Sequence, residues 1–267
     1  MNYRHAYHAG NFADVMKHLT LALCLEHMRK KDKGFCAIDA HGGCGLYRLD
    51  GAEAQKTGEW QAGIGKLLAL KNPPPDLALY LKLVRKDLAN NKYPGSPLLI
   101  ARMLRDQDRL IAGELHPDDY KTLKMTMGSH QNVRIEKRDA YETLRTYLPP
   151  AERRGLVLID PPFEKKDEFE RLGRQARQWH KRFPTGTYLV WYPIKAHLPS
   201  AELRAGLSAL FPGTLCFETL LHPADTPESF NGSGLLLLNP PFGLKERLEA
   251  LAPVLADVLS LHQCRII

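Results

Sequence analysis

A chain of 267 residues with 44% hydrophobic content can bury a large core, and its length fits one α/β domain that carries an insertion. Its 37 Lys+Arg against 30 Asp+Glu give a net charge of +7, which favours an anionic partner such as nucleic acid. The five cysteines (Cys24, Cys36, Cys44, Cys216, Cys264) form no C-x-x-C pair, and the early apolar run Leu19–Leu25 is too short to cross a bilayer. These features point away from a disulfide framework, a thiolate zinc site and a membrane or secretion signal, and toward a cytoplasmic protein.

The opening Tyr3–Asn11 is rich in aromatic and polar side chains without apolar periodicity and reads as an arm over a site. A metal centre built from His5, His8 and His18 has no carboxylate or cysteine spacing to support it, so no metal is expected. From Asn11 and Asp14, in cap-like positions, Val15, Leu19, Leu23 and Met28 recur at roughly helical spacing and predict a helix ending in Arg29-Lys30-Lys31. Apolar runs then predict strands at Phe35–Asp39, Leu110–Leu115, Val133–Glu136, Leu156–Asp160 and Thr187–Tyr192, with helical patterns between them, the signature of a wound parallel sheet. Thr214–Leu220 and Gly234–Asn239 are joined by a polar loop with no room for a crossover helix, which predicts an antiparallel pair at the sheet edge. The sum is a mostly parallel seven-stranded sheet with an antiparallel edge, the pattern of the Rossmann-like class I methyltransferase fold. A nicotinamide-binding domain would continue in parallel. Between Gly45 and Leu110 lies several times the chain that one strand–helix–strand step needs. Thr57–Lys71 and Asp76–Asn90 look helical around the breaker Pro73-Pro74-Pro75, so a small helical subdomain is expected at 50–92, inserted into a domain made of 1–49 and 93–267.

Two strand ends carry chemistry. Asp39-Ala40-His41-Gly42-Gly43-Cys44-Gly45 offers glycines that let the backbone turn tightly and approach a ligand, although His41 breaks the generic dinucleotide fingerprint. Asp160-Pro161-Pro162-Phe163 follows a buried strand and should arise by chance on the order of once in several hundred chains of this size. The amino group of adenine is a poor nucleophile because its lone pair is delocalised into the ring. A carboxylate (Asp160) and a carbonyl (Pro161) accepting its two N–H bonds would localise that lone pair, and Phe163 can stack on an extruded base. A second copy, Asn239-Pro240-Pro241-Phe242, ends a strand expected to run antiparallel; it should reach the opposite rim and be structural. Glu114 ends one strand and Asp139 follows the next, both on the first rim, where carboxylates can bond the ribose and the adenine amino group of a nucleoside cofactor. Basic clusters at Lys82, Arg85 and Lys86, at Arg134, Lys137 and Arg138, and at Arg171, Arg174 and Arg177 are candidate phosphate contacts if the partner is RNA.

At this point the chain resembles the bacterial 23S ribosomal RNA adenine-N6-methyltransferase J family over nearly its whole length. The resemblance rests on Tyr3 to Asn11, on Asp14-Val15-Met16-Lys17-His18, on Asp39-x-His41-x-Gly43-x-Gly45, on Tyr93-Pro94-Gly95-Ser96-Pro97, on Glu114-Leu115-His116-Pro117 and on Asp160-Pro161-Pro162. It implies S-adenosylmethionine as methyl donor and one adenine of 23S rRNA as substrate, with no membrane and no stable protein partner. It further implies cofactor contacts from His18, His41, Ser96, Glu114, Asp139, Asp160 and the backbone at Ala140, with Lys17 close by. Asp160, with Pro161 and Phe163, would be catalytic, and Tyr3 with His5 would meet the RNA. Phe163 stands where tyrosine is usual, keeping the stacking face and losing the hydroxyl, and Gly42 and Cys44 replace other small residues. Competing readings are methylation of DNA adenine or of a protein glutamine, an RNA-binding protein of this fold without catalysis, and a nicotinamide oxidoreductase.

Overall fold

A computed structural model describes residues 4–223, 226 and 230–267; Tyr3 lies outside the described residues. Asn11 caps the first helix by accepting the Asp14 N–H at 2.9 Å, as its residue type and position require. In chain order a 3-10 turn at His5–Tyr7 leads to α1 (Phe12–Arg29), β1 (Cys36–Asp39), β2 (Leu46–Arg48), α2 (Ala52–Thr57), a π-type turn at Gln61–Gly65, α3 (Lys66–Leu68), α4 (Pro75–Leu88), β3 (Lys92–Pro94) and α5 (Ser96–Met103). There follow β4 (Arg109–Gly113), α6 (Pro117–Met127), β5 (Val133–Glu136), α7 (Ala140–Tyr147), β6 (Gly155–Ile159), α8 (Glu168–Arg182), β7 (Thr187–Ile194), α9 (Ser200–Leu210), β8 (Leu215–Leu220), β9 (Gly232–Leu238), α10 (Leu244–Leu259) and β10 (Gln263–Ile266).

The main sheet has the order β10-β8-β9-β7-β6-β1-β4-β5. Its five strands from β7 to β5 pair in parallel, whereas β9 runs antiparallel to both β7 and β8. The class I methyltransferase pattern holds, with one strand more than the seven expected: β10 adds antiparallel to β8. Alternate residues of each strand face opposite ways. Ala37, Leu156, Leu158 and Leu189 pack with α1, α4, α5 and α10 on one side, while Ile38, Val157, Ile159 and Val190 pack with α7, α8 and α9 on the other. Apart from its ends α1 is buried almost all round, as a helix sandwiched between a sheet and other helices must be.

The segment between β2 and β3 does not stand apart from this core: Ile64, Leu67, Leu77, Tyr80 and Val84 are buried with α1. The helix expected over Thr57–Lys71 is interrupted at Gly58, in the left-handed region, and again at Gly63. A Cβ at Gly63 would lie 2.1 Å from the Gly10 carbonyl, which accepts the Ile64 N–H at 2.9 Å. The break is therefore where the end of the N-terminal arm crosses the segment. Among the described residues no helix is long and apolar enough to cross a membrane.

Candidate functional site

β1 lies between β6 and β4, so the chain leaves the sheet in opposite directions from its two neighbours and opens a crevice at the carboxyl end of β1. A cavity of about 380 Å³ occupies that crevice, within the size range of cofactor pockets. His18, His41, Ser96, Glu114, Asp139, Ala140 and Asp160 all line it, as do Lys17, His5 and Pro161. The residues singled out from motifs scattered along the chain thus converge on one space.

The glycine turn supplies its floor. Gly43 has φ 58°, and a Cβ there would lie 2.1 Å from the Tyr47 hydroxyl, so the backbone conformation and the close approach both demand glycine. Glu114 holds the turn: its carboxylate accepts from Gly43 N at 2.8 Å and His116 N at 2.7 Å. Burial raises the Glu114 carboxyl above its ordinary value, and those N–H groups oppose the rise. Asp139 caps α7 by accepting from Tyr141 N at 2.9 Å, and Arg171 approaches its other oxygen at 3.1 Å. Arg171 lies over the Tyr141 ring, 4.2 Å from its centroid. One member of a cluster proposed for phosphate is therefore turned into the cavity wall, and Arg134, Arg138 and Arg174 are likewise paired with Glu136 or Glu170.

At the end of β6, Asp160 pairs with Lys17, and its backbone N–H donates to His41 Nδ1 at 3.1 Å. Burial pushes His41 down to about 4 and His18 down to about 3, so both rings are neutral at physiological pH and Nδ1 of His41 is free to accept. His18 instead meets the Tyr93 hydroxyl at 2.8 Å, which in turn meets Tyr80 at 2.8 Å. A second cavity, of about 780 Å³, abuts the first; it shares His5, Lys17, Asp160, Pro162, Glu164 and Lys165 with it. Its walls carry Phe163, Phe169, Trp191 and Phe230 together with Lys165, Lys166 and Lys195. Phe163 sits in the left-handed region, φ 51°, with its ring 4.8 Å from Phe169 and 5.8 Å from Trp191. A side chain held there is a strained conformation at a concave site, a common mark of a functional loop.

Asn239 is elsewhere. Its side chain donates to the Pro184 and Gly186 carbonyls at 2.7 and 2.8 Å, beside the start of β7 on the opposite rim, and Phe242 is 96% exposed. His5 faces Asp14 at 2.9 Å and His8 faces Glu59 at 3.0 Å; among the described residues no group of three or more His, Cys, Asp or Glu could hold a metal ion. Asp14, Tyr47 and Glu168 belong to the site or its support; Asp14 had been read only as a cap-like residue and part of a motif, and Tyr47 and Glu168 had drawn no role. For Asp14 a signal existed: Asp14, Lys17 and His18 stand at i, i+3 and i+4, one face of a helix.

The family described as "Ribosomal RNA large subunit methyltransferase D, RlmJ" matches residues 32–265. The chain is 39% identical over 264 residues to the "Ribosomal RNA large subunit methyltransferase J" of Haemophilus influenzae, covering 97% of this chain and 94% of that one. It is 36% identical over 263 residues to the protein of the same name from Escherichia coli, again covering 97% and 94%. The crystal structure of protein LPL1258 from Legionella pneumophila superposes with a TM-score of 0.88 at 31% identity, covering 97% of each chain. By its sequence match over most of its length, the chain belongs to the RlmJ family of ribosomal RNA large subunit methyltransferases.

Proposed function

We propose that this protein transfers a methyl group from S-adenosylmethionine to the N6 amine of an adenine in 23S ribosomal RNA, in the cytoplasm. The observation that carries the reading is that two cavities, one ringed by strand-end carboxylates and a glycine turn and the other walled by aromatic rings and lysines, meet at a seam that holds Asp160, the strand-end carboxylate paired with the buried Lys17. The names of the relatives support the substrate class.

The first cavity suits the methyl donor. Glu114 keeps acceptor capacity beyond its two backbone partners and can bond a ribose diol, while Asp139 and the N–H of Ala140 stand where a purine edge can be read. The glycine cradle that a Cβ at Gly43 would fill admits a ligand close to the backbone. When bound, S-adenosylmethionine supplies a methyl carbon made electrophilic by its sulfonium. Lys17 occupies Oδ2 of Asp160 and leaves Oδ1 to accept one N–H of the target amine; the Pro161 carbonyl accepts the other. With the donor bound, the amine lone pair so localised would take up that methyl carbon as the sulfonium leaves as a thioether, and Asp160 would receive the proton that the nitrogen releases. Phe163, braced by Phe169 and Trp191, stacks on the extruded base. His5 and Tyr3 of the arm face the RNA, and residues 50–92 form a helical insertion in the catalytic domain.

Incubation of the purified protein with label on the donor methyl group and with 23S rRNA, DNA or protein acceptors tests the reading. Label is expected in 23S rRNA, recovered as N6-methyladenosine. Label in DNA or protein alone, or in a different nucleoside, would overturn it.

A further inference from the structure

Asp14, in the first turn of α1, is 1% exposed. Its partners join two parts of the molecule. From the arm, His5 Nε2 lies 2.9 Å from Oδ2 and the Gly10 N–H donates to the same oxygen at 2.9 Å. From its own helix, Lys17 Nζ lies 2.8 Å from Oδ1, and His18 Nε2 stands 4.0 Å away. The Lys17 ammonium, itself nearly inaccessible, is thus held between two carboxylates, Asp14 beneath it and Asp160 at the reacting centre.

We propose that Asp14 is a positioning residue: it fixes the Lys17 ammonium against Asp160 and ties that pair to the N-terminal arm, so that methyl transfer is fast only with the arm seated. The proposal rests on the reading that Asp160 accepts from the target amine. A buried ammonium is costly unless it is paired, and a single carboxylate that must also serve a substrate is a poor sole partner. Burial alone would lower the Lys17 ammonium; Asp14 and Asp160 together hold it well above its ordinary value instead. Burial alone would raise the Asp14 carboxyl, but His5 and the Lys17 ammonium hold it well below the usual range. The carboxylates that act on Lys17 are Asp14 and Asp160; the other titratable groups around it are His18 of α1, Asp39 and His41 at the end of β1, and Tyr80 of α4. Of these, Asp14 lies against both Lys17 and the described part of the arm.

The test is Asp14→Asn in the full-length protein, with single-turnover methyl transfer to 23S rRNA measured from pH 6 to 10, cofactor affinity by calorimetry, and thermal melts. Expected are near-normal cofactor affinity, a transfer rate at pH 8 reduced about tenfold or more, and an alkaline limb of the rate profile moved to lower pH, because Lys17 with one carboxylate loses its proton sooner. A helix-start role alone would lower the melting temperature and leave the profile's shape unchanged; that result, or a wild-type rate, overturns the proposal. If Asp14→Asn does not fold, Asp14→Glu replaces it: keeping the charge but displacing it by one methylene should slow transfer while the melt stays near wild type, and an unchanged rate overturns the proposal. Asp160→Ala is run alongside. Full activity there removes the underlying reading of Asp160, whereas an inactive Asp160→Ala beside a normal Asp14→Asn removes the positioning role only.

Discussion

Asp39 closes β1 with 0% of its surface exposed; Oδ1 accepts the His41 N–H at 3.3 Å, and among the described residues no group hydrogen-bonds Oδ2. Burial raises its carboxyl to about 7, opposed by the Ser96 hydroxyl and the His41 N–H and reinforced by nearby Asp160. Between the ordinary carboxylate value and about 7 the folded protein therefore keeps a proton that the unfolded chain has already released. Stability from this group falls as pH rises through that window and is level above it. Asp39→Asn removes the penalty and keeps the oxygen that His41 bonds. Melts from pH 4 to 8 should show the variant gaining on wild type as pH rises, by a few kcal/mol at most, at about 1.4 kcal/mol per pH unit. Parallel curves would show that Asp39 is ionised in the fold without cost. Nothing in the sequence marked this residue beyond its place before a glycine turn, because depth of burial depends on what α5 and the neighbouring strands lay over it. Glu114 and Asp160 were legible because each directly follows an apolar run, and Asp139 because it follows the next strand by three residues; those positions along the chain place all three at one rim of the sheet.

Strand direction decides which of two near-identical motifs can act. β6 runs parallel to β1 and delivers Asp160 to the crevice, while β9 runs against β7 and delivers Asn239 beside Thr187 at the other rim. Asp160→Ala should cut single-turnover transfer by about two orders of magnitude or more with the fold intact. Asn239→Ala should leave the chemical step unchanged and cost about 1 kcal/mol or more in stability, since the Pro184 and Gly186 carbonyls lose their donor. The reverse pattern of rates and melts would move the catalytic centre to the second motif. This much followed from loop length and polarity between two apolar runs. The eighth strand did not. Gln263–Ile266 mixes polar and apolar residues and stays partly exposed, so only its pairing with β8 makes it a strand. The same holds for the small sheet of Leu46–Arg48 with Lys92–Pro94, three residues a side and separated by the whole intervening segment. The broken helix at Gly58 and Gly63 answers to the crossing Gly10 carbonyl, a contact far away in sequence.

Across the whole molecule the net charge of +7 says that an anion is favoured but not where it docks. The structure narrows the choice by showing which cations are already neutralised. Arg134 and Arg138 face Glu136, Arg171 faces Asp139 and Arg174 faces Glu170, whereas among the described residues no ion pair engages Lys166 or Lys195, and both line the second cavity. Lys82 and Lys86 are exposed on α4 and line neither cavity. If the RNA strand carrying the target base enters through the second cavity, the phosphates flanking that base meet Lys166 and Lys195, and each contact releases counterions. Replacing both by alanine should lower the slope of log affinity against log salt by about 1.5 to 2, with cofactor affinity near wild type. A matched Lys82→Ala, Lys86→Ala variant tests whether the footprint extends to α4, where an equal loss of slope would add that helix to it. An unchanged slope in the Lys166, Lys195 variant would mean that the strand does not approach over this mouth, and the base would then have to reach Asp160 from the side of the arm.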